Sequence, residues 1–143
     1  KFVIVGDGPK RKQLEDLCVN LNLERNVIFA GSQADVRPFI SLFTIAVNCS
    51  SNEGLSNAIM EYMASGVPCI VANAGGNGEL IKNGTNGLLF TLGEHEELSY
   101  KIRYLLDNKD IASQLASNAV KSIKRYFSLE LMIRKYENLF ERN

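Results

Sequence analysis

Two carboxylates mark the part of this sequence best suited to chemistry. Glu53 and Glu61 bracket the run Glu53-Gly54-Leu55-Ser56-Asn57-Ala58-Ile59-Met60-Glu61, which follows closely on an apolar stretch, Ile45–Asn48. A strand that opens into a glycine-containing turn and then a helix puts the turn at the carboxyl edge of an open α/β sheet, where such sheets bind ligands. Gly54 permits close approach of the backbone. Ser56 or Asn57 can cap the helix. The free N–H groups at the helix start, with the positive end of its dipole, form an anion site. Glu61 lies about one turn into the helix, where a carboxylate can take two hydroxyls of a ribose. Glu53 lies before the helix and would reach the same ligand from a different element. The spacing alone suits an ordinary loop carboxylate and an ordinary helix carboxylate equally well.

Other candidates are weaker. Gly6-Asp7-Gly8 follows the apolar run Phe2–Val5 and resembles the start of a dinucleotide fingerprint, but the third glycine position is Arg11. A tight turn explains the two glycines better than phosphate binding does. Ala74-Gly75-Gly76-Asn77-Gly78 follows a later strand and leads into Glu79. Two glycine-containing βα turns side by side suggest a shared cleft, and turn chemistry alone is the plainer explanation. His95 is the only histidine. It sits in a polar helix start, and with no second histidine a catalytic triad or a histidine-based metal site is not expected. Cys18, Cys49 and Cys69 are odd in number and lack a C-x-x-C pair. They read as small buried apolar residues of a reducing compartment, not as a disulfide or zinc framework. Asn48-Cys49-Ser50 and Asn83-Gly84-Thr85 match a glycosylation sequon; in a cytosolic protein both are accidental, and the second reads as a turn.

The elements that must position these residues follow from periodicity and punctuation. Strands are expected at Phe2–Val5, Val27–Ala30, Ile45–Asn48, Pro68–Ala72 and Gly87–Phe90. Lys10 to about Leu21 carries Leu14, Leu17, Cys18 and Leu21 at helical spacing. Asp35 can cap a short helix with Val36, Phe39, Ile40 and Phe43. A helix from Asn57 to about Ser65 is closed by Gly66, with Pro68 just beyond. Glu79–Ile81 makes a helical turn. Three helices end the chain: Glu94–Asp107, Asp110 to about Tyr126, and one from Ser128 that would place Leu129, Met132, Ile133, Tyr136 and Phe140 inward. Strands apolar throughout, alternating with helices, predict a doubly wound parallel sheet covered on both faces, with a helical tail.

The chain has 143 residues, which suits one domain, 1–143. Its 45% apolar and 22% charged content is that of a soluble globular protein. Sixteen basic residues balance sixteen acidic ones, so no net charge draws it to nucleic acid. Basic residues cluster only at Lys10–Lys12 and Lys121–Arg125, a weak basis for binding anionic lipid head groups. No signal peptide or apolar run of transmembrane length is present.

The segment Glu53-Gly54-Leu55-Ser56-Asn57-Ala58-Ile59-Met60-Glu61-Tyr62-Met63-Ala64-Ser65-Gly66-Val67-Pro68 resembles the E-x7-E signature of group 1 (GT4-like) retaining glycosyltransferases. Its flanks fit in order: Val3-Ile4-Val5-Gly6-Asp7-Gly8-Pro9, Val27-Ile28-Phe29-Ala30-Gly31, Gly75-Gly76-Asn77-Gly78-Glu79-Leu80-Ile81, and Asn83-Gly84 with Gly87-Leu88-Leu89. The resemblance covers essentially the whole chain. It departs at Tyr62, where alanine is usual, and at Gly78, where proline is frequent.

What the resemblance implies is specific. The fold would be the Rossmann-like C-terminal, donor-binding domain of the GT-B type. The donor would be a nucleotide-diphospho-sugar, UDP- or GDP-linked, with no metal and no cofactor. Glu61 would hold the ribose hydroxyls. Glu53, as the catalytic carboxylate, would face the transferred sugar together with the backbone of Gly54, Leu55, Ser56 and Asn57, which would also meet the diphosphate. Gly6, Gly31 and Ser32 would complete the donor site, with the Gly31–Ser32 turn near the base. In this family a further strand and helix, carrying a basic pair, open the domain, and an acceptor-binding domain precedes them. The chain is therefore expected to be truncated at its N-terminus, and inactive and less stable by itself. The whole protein would transfer a hexose to a glycan or lipid acceptor in the cytoplasm, with peripheral association at the inner membrane face allowed. A nucleotide-sugar epimerase on the same fold and a non-catalytic nucleotide-binding module are the alternatives.

Overall fold

The computed structural model describes residues 1–52 and 54–141; Glu53, Arg142 and Asn143 lie outside the described residues. The chain divides into two compact units, Lys1–Leu42 and Phe43–Asn143.

The first unit contains β1 (Phe2–Val5), α1 (Arg11–Asn20), β2 (Val27–Gly31) and α2 (Arg37–Ile40). β1 and β2 pair in parallel, with Phe2 opposite Val27 and Val5 opposite Gly31. α1 buries no residue, and Leu14, Leu17 and Leu21 are exposed. α2 is shorter than its apolar spacing suggests, and of its residues only Ile40 is buried. Asp35 does serve the start of α2, one position earlier than a cap. Its carboxylate accepts from the Arg37 backbone N–H at 3.0 Å and from the guanidinium at 2.8 Å. The guanidinium bonds, and after them the backbone bond, hold the Asp35 carboxyl below its usual range.

The second unit holds β3 (Ala46–Asn48), α3 (Asn57–Ala64), β4 (Cys69–Ala72), α4 (Asn77–Leu80), β5 (Leu88–Phe90), α5 (His95–Asp107), α6 (Lys109–Tyr126) and α7 (Leu129–Phe140). The three strands form one parallel sheet in the order β3-β4-β5. All four residues of central β4 are buried, which only a sheet covered on both faces requires. Ile70 and Ala72 join Phe90, Leu105 and Leu115 in one cluster, flanked by Leu98 and Ile102 of α5 and Ile111 of α6. Cys69 and Val71 alternate to the other face. On α3, which packs against β3, β4 and α6, Ile59 and Met63 are fully buried. Gly66 ends α3 at φ +69°, with Val67 N–H donating to Tyr62 O and Gly66 N–H to Met63 O, the two bonds of a Schellman stop.

Every expected element is present, its ends moved by a residue or two except at α2, which stops three residues short of Phe43, and the parallel α/β architecture is the expected one. The five strands lie in two sheets, one per unit. Two expectations fail. Leu129, Met132, Ile133, Tyr136 and Phe140 of α7 do not point inward: they are 45–73% exposed. Helical spacing identifies the face a helix would bury, and a partner for that face is a separate matter. Of the three cysteines only Cys69 is buried; Cys18 is half-buried and Cys49 is exposed. Position on the sheet decides this, because Cys69 opens the central strand and Cys49 lies just beyond β3.

Burial pushes the Cys69 thiol up to about 12. This raised value makes its contribution to stability complete below the unfolded thiol pKa and lost as pH rises toward the folded one. Alkylation of the native chain near about pH 8 should therefore modify Cys49 and spare Cys69 until denaturant is added. Mass spectrometry of the peptides reads the result, and labelling of Cys69 in the native state would contradict the packing of β4.

Candidate functional site

In the second unit the two glycine-containing turns singled out in the sequence lie at one edge of the sheet. β3 and β4 are parallel neighbours, so the loops that leave them, before α3 and before α4, emerge side by side at the carboxyl edge. α3 begins at Ser56, whose backbone is extended (φ −75°, ψ 116°), as a cap requires. Ser56 is the cap by position, yet its hydroxyl makes no cap bond, and it is 2% exposed. Its contribution to a ligand would come from the backbone. Asn57 is the first helical residue. No acidic side chain lies in the first turn of α3, so none competes for an anion at its positive end.

The two faces of α3 differ sharply. Ile59 and Met63 are buried, whereas Asn57 and Glu61 are exposed, four positions apart on one face. Gly54 and Leu55 are exposed as well. Glu61 is thus displayed one turn along the helix, available to a ligand. Glu53 lies outside the described residues. Tyr62 points elsewhere: its ring meets Phe43 edge-on at 6.5 Å. That contact gives the departure from alanine a packing role.

The second turn, from Asn73 to Gly78, exposes Gly75, Gly78 and Glu79 and buries Asn77 and Leu80. Asn77 is fully buried, and its Nδ2 donates to Ala72 O at 3.0 Å, tying α4 to the end of β4. Its Oδ1 has no partner among the described residues. Asn83 also serves the main chain, accepting from Leu89 N–H at 2.9 Å. Asn83-Gly84-Thr85 is a turn, as expected. Sequence reasoning missed Asn77 and the neighbouring Asn86, which is 3% exposed. In a run of glycine and asparagine, a buried amide looks like any turn residue.

In the first unit Gly6 and Gly31 are brought together. Gly6 N–H donates to Gly31 O at 2.8 Å, and both residues have positive φ, 123° and 69°, a conformation glycine adopts without strain. Ser32 follows, exposed. Arg11, at the third position of the fingerprint, is clamped between Asp7 at 3.0 Å and Glu15 at 2.8 Å. The Gly8 N–H and then Arg11 hold the Asp7 carboxyl below its usual range. A Cβ at position 31 would lie 3.2 Å from the Arg11 guanidinium. This turn is closed by an ion-paired arginine, a different construction from the glycine-lined phosphate cradle.

His95 is exposed at the start of α5, next to Glu96 and Glu97. Among the described residues, no group of three or more His, Cys, Asp and Glu could hold a metal ion, and no helix is long and apolar enough to cross a membrane. A shallow, mostly apolar cavity of about 470 Å³ lies at the opposite, amino edge of the β3-β4-β5 sheet. Thr44, Pro68, Leu105, Ala116 and Val120 line it, and it includes none of the candidate residues.

Parallel βα units with exposed turns at the carboxyl edge define a Rossmann-like domain. Comparison with known proteins is more specific. The family model for glycosyl transferases group 1 matches residues 1–122. The chain belongs to this family. It is 29% identical over 140 residues to N-acetyl-alpha-D-glucosaminyl L-malate synthase of Bacillus anthracis, covering 98% of this chain and 37% of that protein. It is 31% identical over 136 residues to the lipopolysaccharide core biosynthesis glycosyltransferase LpsE of Rhizobium meliloti, covering 95% of this chain and 40% of that one. Among solved structures, Anabaena Alr3699/HepE in complex with UDP superposes with a TM-score of 0.93 at 28% identity, over 99% of this chain and 40% of that chain. The same protein in complex with UDP-glucose gives 0.91. The fold matches the GT-B glycosyltransferases, and the chain spans about 40% of the length of these relatives.

Proposed function

We propose that this chain carries the donor site of a retaining hexosyltransferase, which moves a hexose from a UDP- or GDP-sugar to a glycan or lipid acceptor. The observation that carries the proposal is the display of Glu61 with Asn57 on the exposed face of α3, at the carboxyl edge of a buried parallel sheet. The likeness to a structure in complex with UDP-glucose supports the same donor chemistry. Glu61 takes the ribose hydroxyls, and the backbone from Gly54 to Asn57 meets the diphosphate at the start of α3. Glu53 faces the sugar. Charge on the leaving diphosphate is balanced by helix-end N–H groups and cationic side chains, without a metal. On this reading the whole protein works in the cytoplasm, at the inner membrane face when its acceptor is a lipid.

The test is the whole protein screened against UDP- and GDP-hexoses with simple sugar and lipid acceptors, the anomeric configuration of the product being read by NMR. Transfer with retention is expected. Inversion would refute the stereochemical part. A free epimerised sugar nucleotide would favour the epimerase, and binding without turnover would favour a non-catalytic module.

A further inference from the structure

α4 is only four residues long, too short to hold its own position through helix cooperativity. Buried asparagines fasten it at both ends. Asn77 ties its start to Ala72 O. At its far end, Asn86 Oδ1 accepts from Lys82 N–H at 2.7 Å, and Nδ2 donates to Leu80 O at 3.1 Å and to Ser122 Oγ on α6 at 3.2 Å. Ser122 Oγ donates onward to Asn118 O at 2.9 Å, and Asn118 Nδ2 donates to Thr85 O at 3.0 Å. Both N–H donors and the acceptor of the Asn86 amide are therefore used. The loop also packs closely on the sheet: a Cβ at Gly87 would lie 3.1 Å from Cys69 O and from two carbons of Ile81.

We propose that Asn86 is a positioning residue of the donor site, holding α4, and with it Glu79 and the Ala74–Gly78 turn, in place beside the α3 turn. The inference rests on the donor-site reading above. Asn86 grips the main chain on both sides of Ile81, so it fixes the direction in which the chain leaves α4. Ser122 anchors that grip to a helix of eighteen residues. The donor phosphates and sugar would then meet a turn whose shape is set before binding.

The experiment uses the whole protein with Asn86→Asp and Ser122→Ala. Asn86→Asp keeps the acceptor for Lys82 N–H but turns a carboxylate oxygen toward Leu80 O. Donor KM and kcat, acceptor KM, calorimetric Kd for UDP and GDP, and Tm are measured together. Asn86→Asp should raise the donor KM about tenfold, and Ser122→Ala about threefold, the acceptor KM staying unchanged. Should Asn86→Asp fail to fold, Ser122→Ala decides. If the variants that fold lose Tm while keeping donor KM and nucleotide Kd, Asn86 is structural only and the inference is overturned. A wild-type protein that binds neither nucleotide and turns over no nucleotide-sugar overturns the donor-site reading, and the inference with it.

Discussion

Glu61→Ala in the whole protein should weaken binding of the cognate nucleotide by about 1.5–3 kcal/mol, the scale of hydrogen bonds to a charged group, or roughly 10- to 150-fold in Kd. The expectation follows from where α3 puts this residue. Ile59 and Met63 anchor the helix in the core, and Glu61 stands on its exposed side. Asn57 is one turn earlier, about 6 Å along the helix axis. A carboxylate there can accept from both hydroxyls of a ribose, each bond strengthened by the charge. Alanine is the best helix former, so the helix should survive the substitution. Calorimetry with UDP and GDP, with circular dichroism as a check on folding, measures the effect. Unchanged affinity for both nucleotides would remove Glu61 from the site.

Glu53→Gln should act on the chemical step instead. Glu53 precedes the helix in sequence, on the side of the segment assigned to the sugar. On the proposed reading a carboxylate there would stabilise the positive charge that develops on the ring carbon as the diphosphate leaves. Because that interaction strengthens toward the transition state, its loss falls on kcat. A fall of about 100-fold or more is expected, comparable to removing one preorganised electrostatic group, with Kd for free nucleotide almost unchanged. Glu61→Gln should mainly raise the donor KM. Steady-state kinetics on the pair, with nucleotide Kd alongside, separates the roles. Normal turnover by Glu53→Gln, or loss of binding alone in both variants, would refute the division.

The backbone of the second unit was legible because its signals are local. Cys69–Ala72 is apolar at every position, as a strand buried on both faces must be. Gly66 and Pro68 punctuate the end of α3, and the exposed Asn57–Glu61 face follows from helical spacing against Ile59 and Met63. What local signals cannot carry is partnership. Leu129, Met132 and Ile133 form an apolar stripe whether or not anything covers it. Asn86 has no local mark at all: its hydrogen-bond partner Ser122 is 36 positions away, and only the folded chain brings them together. Ser56 shows the converse. It has the right type and place for a capping side chain, yet it is buried and makes no cap bond, so its position at the helix start outlasts the expected bond.

The central claim is that the exposed side of α3 receives a nucleotide. A structure of the whole protein with UDP or GDP bound tests it directly. The Glu61 carboxylate is expected within about 2.5–3.0 Å of both ribose hydroxyls, with the diphosphate against the backbone N–H groups at the start of α3. A nucleotide whose ribose is held by other residues, with Glu61 left facing solvent, would contradict it.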